Sequence, residues 1–167
     1  AIYTPTDTML KADRESLINA AKRIGDRLEL LALKNEGEAS WIGLLLINER
    51  NWTLLPLNFD LYNGLAGVVL FLAYLGEVAN EQRYTDLAQE GMNTILRVLD
   101  QGPLETLPLG GAFEGLGAMI YVLTHLGVLW QRAELLERAE QLVPYILPLI
   151  EEDEHLDIIG GTAGTMA

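Results

Sequence analysis

A glycine-led apolar segment occurs twice in this sequence and begins a third time. The first copy covers residues 64–76 and the second covers residues 115–127, while residues 157–164 repeat the pattern of residues 60–67. Both complete copies are apolar on every side, which is typical of a helix buried among neighbours. A repeat of about 50 residues predicts stacked helical units instead of one continuous core.

The segments that follow each copy are apolar on one side only. In residues 81–99 and 133–150 the apolar positions recur at helical spacing, which predicts outer helices. Pro144 and Pro148 lie within the second segment, and we expect it to break near Val143 because proline removes a backbone donor. The predicted order is therefore inner, outer, inner, outer.

This alternation predicts an all-α fold. Paired inner and outer helices form either an open solenoid or a closed, two-layered ring called an α/α toroid. The inner segments carry few of the polar residues that the exposed concave face of a solenoid would need, so the ring is favoured. The third copy only begins, which predicts an incomplete toroid.

The region before the repeat has a different pattern. Residues 13–33 predict an amphipathic helix. Its apolar face is formed by Leu17, Ala21, Ile24, Leu28 and Leu31. Residues 41–47 fit either a short helix or a strand. We divide the chain into an N-terminal helix with its connector, residues 1–38, and the first toroid repeats, residues 39–167.

Charge and composition disfavour several classes of partner. A formal net charge of −13 opposes binding to nucleic acid, whose phosphates repel an acidic protein. The chain has no cysteine, so it forms no disulfide and offers no cysteine ligand to a metal. Its longest apolar stretch, residues 65–75, is shorter than the roughly 20 residues that cross a bilayer. With no signal-peptide pattern at the start, we predict a cytoplasmic protein.

Glycine-rich loops also bind phosphate, which is another interpretation of the repeat. Residues 160–165 lack the Lys-Ser/Thr ending of a phosphate-binding loop, and no strand pattern precedes them. Gly115 and Gly117 are not followed by the third glycine of a dinucleotide site. We therefore interpret the glycines as architectural, because small residues let helix ends approach closely.

From about Ala39 to the end, the sequence resembles the cyclase domain of type II lanthionine synthetases, the bifunctional enzymes that make lanthipeptides. The resemblance is carried by SWIGL (40–44), WTLLPL (52–57), DLYNGLAG (60–67), LFLAYL (70–75) and DIIGGTAG (157–164). Each motif is weak by itself, and together they are specific.

The resemblance implies a toroid of seven inner and seven outer helices, of which this chain would hold about three repeats. It also implies a zinc ion held by two cysteines and a histidine, all expected beyond Ala167, and a precursor peptide as substrate. In that family a peptide cysteine adds to dehydroalanine or dehydrobutyrine and forms a thioether ring. We therefore expect a fragment of a lantibiotic synthetase that holds no metal and is inactive alone.

Asp157 is the one catalytic candidate, because the resemblance matches it to the aspartate that opens the family's Asp-x-Ile-x-Gly-x-Ala-Gly motif. That aspartate lies near the zinc and is implicated in proton handling. From the sequence alone, Asp157 would cap the third inner helix. His125 is predicted to be a hydrogen-bonded core residue, and His155 a solvated loop residue. Three aromatic residues are predicted to be packing residues: Trp41, Trp52 and Trp130.

Two other functions stay open. An α/α-barrel glycoside hydrolase would use two carboxylates at the mouth of the ring, and Asp60, Glu114 and Asp157 precede inner helices as it requires. A non-catalytic helical interaction module would be a stable monomer that binds a protein partner. An incomplete toroid instead exposes an apolar edge, which predicts self-association.

Overall fold

The computed structural model describes residues 13–48, 50–102, 111–153 and 156–166. The helices in these residues are α1 (Arg14–Leu31), α2 (Leu65–Ala79), α3 (Gln82–Gln101), α4 (Gly115–Leu129), α5 (Ala133–Leu142), α6 (Ile146–Glu152) and α7 (Thr162–Thr165). The strands are β1 (Leu33–Asn35), β2 (Glu38–Ser40), β3 (Ile42–Asn48) and β4 (Asn51–Pro56).

The core is all-α, and its alternation of inner and outer helices is confirmed. The inner helices α2 and α4 contact each other, and they pack on the outer helices α3 and α5 respectively. The predicted stripe of α3 is buried: Tyr84, Leu87, Ala88, Gly91, Ile95 and Leu99. α5 ends at Leu142, and Val143–Tyr145 form a 3₁₀ turn that contains Pro144. The predicted break near Val143 is therefore confirmed.

The inner helices are not buried on every side, and that prediction was wrong. One side of α2 and α4, which we call the inner stripe, faces away from the outer helices. Its residues are Tyr74, 40% exposed, Val78, 50%, Tyr121, 46%, and Val128, 66%. An apolar pattern identifies a helix with a buried side, but it does not tell how many sides its neighbours cover.

Two β-hairpins lie between α1 and α2. β1 pairs with β2 around Glu36 and Gly37, whose φ angles of 49° and 83° supply the left-handed conformation that a two-residue hairpin turn requires. β3 pairs with β4. The segment that fitted either a helix or a strand is therefore a strand, over residues 42–48. Sequence reasoning missed the other three strands, because none of them shows clear alternation.

The three tryptophans have different surroundings. The buried indole of Trp41 donates a hydrogen bond from Nε1 to the carbonyl of Leu28 at 2.8 Å. Trp130 packs against the edge of the core. Trp52 is 60% exposed, so its predicted packing role was wrong. Strand β4 directs Trp52 to the outer side of its hairpin.

α1 begins at Asp13, whose carboxylate accepts a hydrogen bond from the N–H of Ser16 at 2.7 Å. The helix buries Gly25, and Ala21 and Leu28 pack against the core. The other members of its predicted face are exposed: Leu17, Ile24 and Leu31. The predicted helix is therefore confirmed, and its predicted apolar face is only partly correct.

A cluster of charged side chains attaches α1 to the start of α3. The guanidinium of Arg83 lies 2.5 Å from Asp26, 2.6 Å from Glu29 and 2.8 Å from Glu81. The Tyr84 hydroxyl donates to Asp26 at 2.7 Å. Hydrogen bonds from Tyr84 and then Arg83 lower the pKa of Asp26.

Candidate functional site

The N-terminal ends of α2, α4 and α7 are joined through the segments that precede them. We call these segments the entrance loops: residues 57–64, 111–114 and 156–161. The N–H of Leu61 donates to the carbonyl of Phe113 at 2.9 Å. The N–H groups of Phe113 and Glu114 donate in turn to the carbonyl of Ile159, at 3.2 and 3.1 Å. The three helix starts therefore lie next to one another in chain order.

The third residue of each of these helices is a glycine. These glycines are Gly67, Gly117 and Gly164. A Cβ atom at any of the three positions would overlap a backbone carbonyl oxygen of the entrance loop before it. Each loop therefore folds back over its own helix only because the side chain is absent. This supports the architectural interpretation of the repeated glycines.

The same glycines set the register of the repeat. In the structure, Gly67 corresponds to Gly117. The offset along the chain between α2 and α4 is therefore one residue smaller than the offset that the alignment of Gly64 with Gly115 predicts. The extra residue lies in the turn after α4, which is one residue longer than the turn after α2. An alignment of the two apolar segments from first to last residue does not reveal a one-residue difference in the turns that follow them.

Asp60 connects the first entrance loop to the second inner helix. Its carboxylate accepts a hydrogen bond from the N–H of Gly115, the first residue of α4, and another from the side-chain amide of Asn58. Partial burial raises the pKa of Asp60 above its ordinary value of 3.8, although both hydrogen bonds act in the opposite direction. Sequence reasoning placed Asp60 at a helix start but missed this contact between repeats.

Glu114 has a similar position one repeat later. It is the N-cap residue of α4, and its carboxylate lies beside Gly160 in the third entrance loop. Asp60 and Glu114, two of the three carboxylates that a hydrolase would use, therefore lie against the repeat that follows them.

Asp157 lies exposed in the third entrance loop. Its Oδ1 accepts hydrogen bonds from the N–H groups of Ile159 and Gly160, at 2.6 and 2.9 Å. The first N–H of α7, on Thr162, is bound by Asp153 at 2.7 Å. Asp157 therefore orders its own loop, and the predicted cap of the third inner helix is supplied by Asp153. The other residue predicted for this loop, His155, lies outside the described residues.

A polar cluster lies on the inner stripe. The Tyr74 hydroxyl is 2.9 Å from Nδ1 of His125, and the ring of Tyr121 lies against the imidazole with 4.2 Å between centroids. His125 also borders a cavity of about 580 Å³, which Leu61, Phe113 and Ile158 line from the entrance loops. The predicted hydrogen bond of His125 exists, but the residue is half-buried and not part of the core.

The sequence profile of the family described as lanthionine synthetase C-like protein matches residues 56–167. The chain belongs to the lanthionine synthetase C-like family. No curated protein sequence matches the chain. The family match starts at the end of β4 and includes all three entrance loops, so the repeated helix starts lie within the part that this lanthionine synthetase C-like chain shares with its family.

The residues of this lanthionine synthetase C-like chain do not fit the zinc site that the resemblance implies. That site needs two cysteines, and the chain has none. Over residues 13–48, 50–102, 111–153 and 156–166, no three histidine, aspartate or glutamate residues come together in a way that could hold a metal ion. Within the same ranges, no helix is long and apolar enough to cross a membrane.

Proposed function

We propose that the chain is part of the cyclase domain of a type II lanthionine synthetase, and that this domain forms the thioether rings of a lanthipeptide. The observation that carries the proposal is the family match over residues 56–167. The linked entrance loops support it, because an α/α toroid is built by repeating one helix start around a ring. In this proposal the chain supplies about three of seven repeats.

The proposed reaction is an addition in which no atom is lost. The sulfur of a peptide cysteine forms a bond to the β-carbon of dehydroalanine or dehydrobutyrine, and the carbon–carbon double bond becomes single. The thiol gives up one proton and the α-carbon takes up one proton. The enzyme therefore needs a group near the reacting atoms that can accept or donate a proton.

Asp157 is our candidate for that group. Its carboxylate is exposed at the entrance loops, and the N–H groups of Ile159 and Gly160 hold one of its oxygens in place. A carboxylate that is already oriented loses less entropy when a substrate atom is brought to it. The catalytic role comes from the family resemblance, and this fixed orientation is compatible with it.

Zinc enters the proposal only through residues outside this chain. Because the chain has no cysteine, we propose that the ligands of the zinc ion belong to another part of the enzyme. It follows that the isolated chain does not cyclise peptides. We propose a cytoplasmic enzyme whose partner is the precursor peptide. The isolated chain also self-associates in this proposal, since Val78 and Val128 leave an apolar edge uncovered.

The glycoside hydrolase gains no support from the geometry. Such an enzyme needs two carboxylates that face a sugar from opposite sides of the bond to be broken. Asp60 instead binds the N–H of Gly115, and Glu114 lies beside Gly160. Asp60 is thus engaged by the backbone of the next repeat, and Glu114 lies against that repeat.

The test counts thiols. A dehydrated precursor peptide is incubated with the complete enzyme or with the 167-residue chain, and free cysteines are then alkylated and counted by mass spectrometry. Alkylation is required because ring formation leaves the peptide mass unchanged. We expect thiols to disappear with the complete enzyme and to persist with the chain. Persistence with the complete enzyme would refute the cyclase, and disappearance with the chain would refute its inactivity.

A further inference from the structure

The β3–β4 hairpin carries an apolar surface that the helical core does not use. In the strand register, Ile42 lies opposite Pro56, Leu44 opposite Leu54, and Leu46 opposite Trp52. Opposite residues of an antiparallel pair point to the same side. We call this side the ribbon face: Ile42, Leu44, Leu46, Trp52, Leu54 and Pro56. Its members are all exposed, with Leu54 at 69% and Trp52 at 60%.

The other side of the hairpin is the one that faces the protein. Leu45 and Thr53 on that side are half-buried, Leu55 is 46% exposed, and Leu57 packs closely at Gly43. The N–H of Leu57 donates to the carbonyl of Trp41 at 2.8 Å, which closes the base of the hairpin. The ribbon face therefore points outward with a fixed register, and almost all of it precedes the family match at residues 56–167.

We propose that the ribbon face is the surface through which two copies of this chain pair face to face. The charge distribution favours a second copy as the occupant. The chain carries a formal charge of −13, yet residues 39–59 contain two charged residues, Glu49 and Arg50, whose charges cancel. Two copies can therefore meet at this surface without bringing a net negative segment against another.

The exposed area is also sufficient for a dimer. Five leucine, isoleucine and tryptophan side chains, each exposed by half or more, present on the order of 500 Å². Stacking two ribbon faces would bury on the order of 1,000 Å² in total, the lower limit for a specific interface. We therefore expect a weak dimer whose population depends on the chain concentration.

The ribbon face is suited to a two-fold axis. A two-fold interface places one patch against a copy of itself, so the patch must be complementary to itself. The ribbon face meets this condition, because it carries no charge and therefore creates no like-charge pair, and its one polar atom is the indole nitrogen of Trp52. Two such ribbons would stack as the layers of a β-sandwich do, about 10 Å apart.

Sedimentation velocity of the 167-residue chain over a range of concentrations tests the proposal. We expect a reversible dimer that Leu54→Lys weakens at least tenfold. Leu147→Lys is the matched control, because it places the same charge at an equally exposed leucine of α6, outside both the ribbon face and the inner stripe. It should leave the dimer intact. A monomer at every concentration would overturn the proposal, as would self-association that Leu54→Lys leaves unaffected or that Leu147→Lys weakens equally.

Trp52 provides a second measurement that does not depend on introducing a charge into the ribbon face. Acrylamide quenching of Trp52 is obtained as the difference between the wild-type chain and Trp52→Phe, which leaves Trp41 and Trp130 as a common background. We expect this quenching to fall as the chain concentration rises through the dimerisation range. Quenching that does not change while the chain dimerises would place the interface elsewhere and contradict the proposal. Neither result depends on the cyclase activity.

Discussion

The N–H of Gly115 donates a hydrogen bond to the carboxylate of Asp60, which joins the first entrance loop to the start of the second inner helix. An inner helix needs partners for its first N–H groups, and here the partner comes from the preceding repeat. This hydrogen bond connects one repeat to the next, in addition to the apolar packing between α2 and α4.

The pH dependence of this contact can be predicted. The folded pKa of Asp60 is raised above 3.8, so its contribution to stability is fully present at low pH and is lost as the pH rises through the folded pKa. Asp60→Asn removes this loss, and its stability relative to wild type should grow as the pH rises from about 3 to 6. Urea unfolding at each pH measures it.

Asp13→Asn is the control for that experiment. The N–H of Ser16 lowers the pKa of Asp13, so its stabilising effect is present above 3.8 and is lost as the pH falls. The stability of Asp13→Asn relative to wild type should therefore change with pH in the opposite direction. Equal trends in the two variants would contradict the assignment of Asp60.

The entrance glycines should not tolerate a methyl group. Gly117→Ala forces a Cβ atom onto a backbone carbonyl, and we expect it to lower the free energy of unfolding by about 2 kcal/mol or more, despite the better helix propensity of alanine. Gly127→Ala, in the same helix, meets mainly the flexible end of Leu136 and should cost less. Thermal and urea unfolding compare the two. A milder effect at Gly117 would show that its loop moves freely.

The Arg83 cluster should strengthen the fold only above acidic pH. Lys22 and Arg83 lower the pKa of Glu81, and Tyr84 and Arg83 lower that of Asp26. Their stabilising effect is present above the unfolded values, 4.5 and 3.8, and is lost as the pH falls through the lower folded values.

Arg83→Met should therefore flatten the loss of stability between about pH 5 and pH 2, and added salt should reduce the difference from wild type. The matched variant is Arg132→Met, which removes a single local pair with Glu134. It should change the acid profile less, because it connects no two helices. An acid profile of Arg83→Met that coincides with wild type would show that the cluster does not hold α1 on α3.

The hydrogen bond between Tyr74 and His125 should couple the two inner helices by about 1 kcal/mol. A double-mutant cycle of Tyr74→Phe and His125→Ala, measured by urea unfolding, isolates this term. Tyr121→Phe keeps the ring that lies against the imidazole, so a parallel cycle with this variant should give a smaller coupling energy. Equal coupling energies would mean that the Tyr74 hydroxyl makes no specific contribution to its contact with His125.

Local patterns predicted much of the fold. The alternation of inner and outer helices and the break at Val143 depend on periodicity and on proline, which act over a few residues. The hairpin turn at Glu36 and Gly37 had a signal in its glycine, but strands of three residues are too short to show a period.

The candidate site was harder to predict, because its contacts are between repeats. Asp60 meets Gly115 only after two loops are brought together, and no spacing in the sequence encodes that approach. Tyr74 and His125 match when Gly64 is aligned with Gly115, but they are one residue out of step in the register that Gly67 and Gly117 set, so the repeat gave an imprecise sign that they meet. Their exposure depends on which neighbours cover α2 and α4, and a pattern within one helix does not report its neighbours.

The most direct test of the central claim is the number of free peptide thiols that remain after a dehydrated precursor peptide is treated with the complete enzyme carrying Asp157→Asn. Asparagine keeps an oxygen for the N–H groups of Ile159 and Gly160 and removes the carboxylate. We predict that the cyclisation rate falls by about 100-fold or more, which is the typical contribution of a single general acid or base to the rate. Asp153→Asn, which alters the cap of α7, should retain activity. Unchanged cyclisation by Asp157→Asn, or an equal loss in both variants, would contradict the claim that the entrance loops carry a catalytic carboxylate.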